Sequence, residues 1–248
     1  MQTPANAKIV LAEAVRHLPQ SVKIWIRASE LETDAEARKA VLRKALTLLP
    51  GSERLWKTAI ALEGPADARV LLARAVECVP GSVDLWLALA RLETHENAQR
   101  VLNAARQAVP AEPAIWISAA KLEETAGNLE APAKVLARAV KSMATQQVPV
   151  SRDAWLQHAE DAERAGAPVT AAAIVAATLE LGVDEADRKR TWLADAAGFA
   201  DRGSVATARA AYARLLADFP AKKSIWLAAA ALEKKVGVVG VRLCVNVL

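Results

Sequence analysis

"LWLALARLE", residues 85–93, decides the fold. Trp86 is followed by Leu89 and Ala90 at helical spacing, the apolar stripe of an amphipathic helix. Glu93 stands one turn farther along that stripe, where the core should continue. The same phrase recurs as "IWIRASELE" at 24–32, "LWKTAIALE" at 55–63, "IWISAAKLE" at 115–123 and "IWLAAAALE" at 225–233. In all five places Glu follows Trp by seven residues, so the phrase marks one position in a repeated unit.

The Trp residues set the period. Trp25, Trp56, Trp86, Trp116, Trp155, Trp192 and Trp226 are separated by 31, 30, 30, 39, 37 and 34 residues, the range of helical-repeat arrays. Six residues before the Trp stands Pro19, Pro50, Pro80, Pro110, Pro149 or Pro220. Four residues before it stands Ser21, Ser52, Ser82 or Ser151, each an expected N-cap. Each unit therefore opens with Pro stopping one helix and Ser starting the next. Helix A carries the Trp, with small residues such as Ala28 and Ser29, or Ala119 and Ala120, letting a neighbour approach.

Helix B follows after a short break such as "GPAD" (64–67) or "THEN" (94–97). It reads "ARKAVLRKALTLLP", "ARVLLARAVECVP", "AQRVLNAARQAVP" and "PAKVLARAVKSM". In these, Leu42, Leu72, Leu102 and Leu136 stand three residues before Ala45, Ala75, Ala105 and Ala139. Neither helix of a pair can bury its stripe alone, and stacking the pairs makes one continuous core. The pattern predicts an all-α, right-handed solenoid of helix pairs, about three quarters helical and without sheet, far above the usual third.

Glu32, Glu63, Glu93, Glu123 and Glu233 read as structural. A carboxylate at the end of helix A faces unsatisfied carbonyls, but the next helix begins nearby and offers free N–H groups. Each Glu is expected to cap helix B or to reach a base on it, such as Lys44, Arg74 or Arg138. Five copies of one carboxylate do not make a single catalytic centre.

Composition excludes several classes. Gly and Pro number ten and eleven, too few for a turn-rich all-β chain. Net charge is +4 with a pI near 9.2, compatible with an acidic or nucleic-acid partner and diagnostic of neither. Cys78 and Cys244 make no disulfide framework, so a reducing compartment is expected. The first residues carry Lys8, Glu13 and Arg16 within their apolar pattern, unlike a signal peptide, and the apolar stretches 171–183 and 236–248 are too short to span a bilayer. A soluble, intracellular chain is expected. His17, His95 and His158 are scattered without metal-ligand spacing, and no phosphate-cradling Gly loop is present. No catalytic, cofactor-binding or metal residue, and no small-molecule substrate, is expected.

Small residues after the Trp, and Glu in place of Tyr, depart from the tetratricopeptide pattern and resemble its half-a-tetratricopeptide (HAT) variant, found chiefly in RNA-processing proteins. Residues 21–56, 83–110 and "DRKRTWLADAAG" at 187–198 are further similar to the HAT-repeat splicing factors that act as scaffolds of the U5 small nuclear ribonucleoprotein. The resemblance covers roughly 7–235. It implies a nuclear, non-catalytic scaffold bridging the U5 and U4/U6 particles, with spliceosomal proteins as partners and no membrane. A HAT scaffold of 3′-end cleavage or ribosomal RNA maturation, and a direct RNA-binding module, are the alternatives.

Three segments are expected. Residues 1–19 form a half repeat whose helix B runs from Ala7 to Leu18. Residues 20–235 form the solenoid, closing on a lone helix A from Ser224 to Lys235. Residues 236–248, "VGVVGVRLCVNVL", break the pattern and read as a disordered tail, a truncated or misjoined end. With no helix B after it, the last unit is expected to leave Trp226 and Leu232 uncovered, an apolar face that promotes self-association.

Overall fold

The computed structural model describes residues 4–237. It is an all-α solenoid of helix pairs, 77% helical, with fourteen helices and no strand among the described residues. The helices fall into two compact units, divided between Val109 and Pro110.

The first unit holds α1 (Pro4–His17), α2 (Val22–Glu30), α3 (Ala35–Leu48), α4 (Glu53–Ile60), α5 (Pro65–Cys78), α6 (Val83–Leu92) and α7 (His95–Ala108). Each helix packs on its chain neighbour, and α2 also meets α4. The even-numbered helices carry the Trp, and the odd ones are helix B of the pattern. The second unit holds α8 (Pro113–Thr125), α9 (Ala131–Thr145), α10 (Arg152–Arg164), α11 (Pro168–Thr178), α12 (Glu185–Asp201), α13 (Val205–Asp218) and α14 (Lys223–Val236). Its hub is α11, "PVTAAAIVAAT", which touches α8, α9, α10 and α13. A helix apolar all round has no face to give to water, so it takes the centre.

The Leu and Ala of helix B explain themselves in place. Leu42, Leu72, Leu102 and Leu136 are at most 3% exposed, and Ala45, Ala75, Ala105 and Ala139 are fully buried. Leu fills the seam, and Ala, one turn on, lets the facing helix close in.

The two spacing classes of the Trp residues also find a cause. In the second unit α8, α10, α12 and α14 run on until Gly127, Gly166, Gly203 and Gly237, each eleven residues after its Trp and each in the left-handed region (φ 86°, 81°, 84° and 71°). Glycine reaches that conformation without a Cβ clash and closes a helix. In the first unit α2, α4 and α6 have no such Gly and end within about two turns of the Trp. Shorter A helices give the spacings near 30; longer ones give 34 to 39.

Several sequence expectations shift. The first helix is Pro4–His17 rather than Ala7–Leu18, and the last is Lys223–Val236 rather than Ser224–Lys235. "GPAD" and "THEN" are mostly helix starts: α5 begins at Pro65, whose missing N–H costs nothing at the first helical position, and α7 at His95. Ser52, Ser82 and Ser151 accept from the backbone N–H three residues on, but Ser21 makes no such bond. Leu232 is buried, whereas Trp226 is 38% exposed. The proposed tail lies, beyond Val236 and Gly237, outside the described residues.

Candidate functional site

The repeat positions themselves form the most regular arrangement in the molecule. Trp25, Trp56, Trp86, Trp116, Trp155 and Trp192 are all at most 9% exposed. Their spacing from Pro has a polar reason as well as a steric one. The indole N–H of Trp25, Trp56, Trp86, Trp116 and Trp226 donates to the carbonyl of the Pro six residues earlier, at 2.8, 2.7, 2.9, 3.3 and 2.9 Å. A buried indole needs an acceptor, and the inter-helix turn before helix A supplies one. Trp192 makes the contrast. It has Ala186 where the others have Pro, and its buried N–H has no hydrogen-bond partner. The guanidinium carbons of Arg188 and Arg214 instead lie 5.5 and 5.8 Å from its ring centre.

Four of the five recurrent Glu residues pair with bases, and the partner is on the preceding helix B rather than the following one. Lys8 holds Glu32 at 2.8 Å, Lys39 holds Glu63 at 2.7 Å, Arg69 stands 3.8 Å from Glu93, and Arg209 holds Glu233 through two bonds of 2.7 Å. In every case the base precedes the Glu by 24 residues. Arg43 adds a second cation to Glu63 at 3.7 Å. None of Lys44, Arg74 and Arg138 occupies this role. Glu93 also accepts from Asn97 Nδ2 at 3.2 Å, and Glu123 accepts from Asn128 Nδ2 at 2.8 Å.

The electrostatics follow the geometry. The Glu63 carboxylate, assisted by Glu36, raises Lys39 above the ordinary lysine range. The two hydrogen bonds from Arg209 hold Glu233 below the ordinary carboxylate range. A carboxylate whose folded pKa is depressed contributes stability above its unfolded pKa, about 4.3, and loses it as pH falls through the folded value. Thermal melts of the wild type and Glu233→Gln are therefore expected to differ at pH 6 and to converge as the buffer is taken below pH 4. A gap that stays constant into that acid range would show that Glu233 is not held as a carboxylate.

Capping of helix B does occur, by residues the repeat pattern did not mark. Glu124, at the end of α8, accepts from Val169 N–H (2.9 Å), Thr170 N–H (2.7 Å) and the Thr170 hydroxyl (2.7 Å) in the first turn of α11. Glu163, at the end of α10, repeats the arrangement on α13 with Ala206 N–H (2.7 Å), Thr207 N–H (2.9 Å) and the Thr207 hydroxyl (2.7 Å). Each carboxylate meets free N–H groups and the positive end of the helix. Both lie eight residues after a Trp and three before a left-handed Gly, and the helix each one caps belongs to the next repeat. The signal was the Glu-x-x-Gly corner together with a Thr in the first turn of the next helix B.

Other polar side chains serve packing. Arg152 donates to the carbonyl of Leu179 at 3.0 Å and pairs with Asp195, and Arg202 donates to the buried Glu160 at 2.8 Å. His95 begins α7 and lies 3.1 Å from Gln99; His158 meets Trp155 edge to face; His17 stands 3.9 Å from Glu13. Among the described residues no cluster of His, Cys, Asp and Glu could hold a metal, and no helix is long and apolar enough to cross a membrane. The arrangement binds helices to one another.

No family model matches the chain. Its sequence is 59% identical over 230 residues to human Pre-mRNA-processing factor 6, covering 93% of this chain and 24% of that protein. It is 47% identical over 114 residues to Pre-mRNA-splicing factor prp1 of Schizosaccharomyces pombe, covering 46% of this chain and 13% of that protein. The chain thus spans about a quarter or less of the length of these relatives. Among solved structures, one chain of "Structure of Naa15/Naa10 bound to HypK-THB" is similar with a TM-score of 0.42 and 17% identity, over 93% of this chain and 37% of that one.

Proposed function

We infer that this chain, which belongs to the Pre-mRNA-processing factor 6 family over the segment it spans, acts in pre-mRNA splicing as a non-catalytic protein-interaction scaffold in the nucleus. The observation that carries the reading is the 59% identity over 93% of the chain. An identity of 59% over 230 residues supports more than a common repeat, because the recurring Trp, Pro, Leu, Ala and Glu positions are far fewer than the identical ones. The finer assignment is that the array helps bridge U5 and U4/U6 particles in tri-snRNP assembly. Helix pairs locked by indole bonds and ion pairs present a preformed surface, and a preformed surface loses little ordering entropy when a partner docks.

The test is affinity purification from nuclear extract with the 248-residue chain as bait, read by mass spectrometry before and after ribonuclease. U5 and U4/U6 proteins retained after ribonuclease are the expected result. Recovery of 3′-end cleavage or ribosomal RNA maturation factors in their place overturns the splicing assignment. Recovery that vanishes with ribonuclease overturns the protein-scaffold mechanism in favour of RNA binding.

A further inference from the structure

We propose that the cleft between α1 and α3 is a docking site for an acidic, apolar segment of a partner protein. The two helices flank α2, which packs on both, and a cavity of about 260 Å³ opens over it. Its walls are Leu11, Val15, Ala28 and Val41, all partly exposed, with the buried Trp25 at the base. Three cations stand at its edge: Lys8, Arg16 and Lys44. The sole carboxylate lining it, Glu32, is held by Lys8.

Charge selects the ligand. Arg16 is paired only with the exposed Glu13, and Lys44 has no ion-pair partner among the described residues. Three cations against two carboxylates, Glu32 and Glu13, leave the rim positive through Lys44, so a segment carrying Asp or Glu is attracted and a basic one repelled. The Lys8–Glu32 pair is also the most open of its kind. Glu32 keeps 28% of its side chain exposed, against 6% for Glu63, 14% for Glu93 and 15% for Glu233. Its carboxylate is the most accessible of the four.

Shape decides between protein and RNA. Single-stranded nucleic acid is held by aromatic faces on which bases stack, and the one aromatic here, Trp25, is 2% exposed with its indole N–H committed to Pro19. The walls are aliphatic. The volume falls just below the range of about 300–1,000 Å³ typical of small-molecule pockets, and suits one or two aliphatic side chains flanked by carboxylates. The inference rests on the scaffold reading only in taking the occupant to be protein.

The test places a benzoylphenylalanine photocrosslinker at Ala12, an exposed residue on the edge of the cleft, in the full chain. After irradiation in nuclear extract, the crosslinked partner peptide is sequenced by mass spectrometry. A partner segment rich in Asp or Glu with Leu, Ile or Val is expected, and its yield should fall at least tenfold in the double variant Arg16→Glu/Lys44→Glu. Both replaced residues are exposed, and circular dichroism checks that the variant stays folded. An adduct with RNA, with a second copy of this chain or with a basic segment overturns the proposal, as does no adduct or one the double variant leaves undiminished. Co-purification of U5 and U4/U6 proteins is read in parallel. Its persistence without an acidic adduct sinks the cleft alone, while its loss in the unmodified chain sinks the scaffold reading.

Discussion

Trp56→Ala is expected to lower the unfolding free energy by about 3–5 kcal/mol, the cost of emptying a large core position. Trp56 is 3% exposed, and its indole N–H donates at 2.7 Å to the carbonyl of Pro50. Truncation therefore removes apolar contacts with the neighbouring helices and leaves the Pro50 carbonyl without its donor. Unfolding in urea, followed by circular dichroism, measures the loss. Against a total stability of roughly 5–15 kcal/mol for ordinary domains, a change of that size shifts the transition far. A loss under about 1 kcal/mol would mean that the cavity collapses freely, and would move Trp56 from the core to a surface with another purpose.

Glu163→Ala is expected to cost on the order of 3 kcal/mol, because one carboxylate serves three donors and hydrogen bonds to a charged group are the strong ones. Its removal strands the N–H groups of Ala206 and Thr207 and the fully buried hydroxyl of Thr207. Glu163→Gln should restore only part of the loss, since an amide turns one acceptor into a donor facing an N–H. Thr207→Val removes one of the three bonds and should be the mildest of the set. Hydrogen exchange at Ala206 and Thr207 locates the effect. If those amides stay protected in Glu163→Ala, the first turn of α13 is held by something else and the capping account falls.

The helix pairs were legible in the sequence because Trp, Pro and the Leu–Ala pair of helix B recur at fixed offsets. Each offset corresponds to a local requirement: a stripe, a stop and a close approach. The partner of the recurrent Glu was harder to see. It lies 24 residues upstream, on the preceding helix, and is Lys in two copies, Arg in two and the neutral Gln99 before Glu123, so no single residue type marks that position. Glu124 and Glu163 were missed for the opposite reason. Glu124 stands beside the more conspicuous Glu123, and Glu163 follows Ala162, where the repeat has lost its Glu. Their ligands are 43 to 46 residues away, beyond the reach of any periodicity. The cleft between α1 and α3 was not legible, because it depends on how far two B helices stand apart. What the sequence did display was an odd case: Trp192, alone in lacking the Pro, has a buried indole N–H without a hydrogen-bond partner.

The 24-residue ion pairs bear on where one repeat ends and the next begins. An alignment by the Pro–Trp phrase cuts the chain before helix A. The pairs knit α2, α4, α6 and α14 each to the helix B before it, so there the bonded module is out of phase with the aligned one by a helix. A piece excised from α2 to α5 keeps the Lys39–Glu63 pair but orphans Glu32 and Arg69 at its two ends. A piece of the same number of helices from α1 to α4 keeps both Lys8–Glu32 and Lys39–Glu63 whole. Duplication or grafting of such an array would lose least charge balance at borders drawn after helix A, a choice that the visible motif alone would place elsewhere.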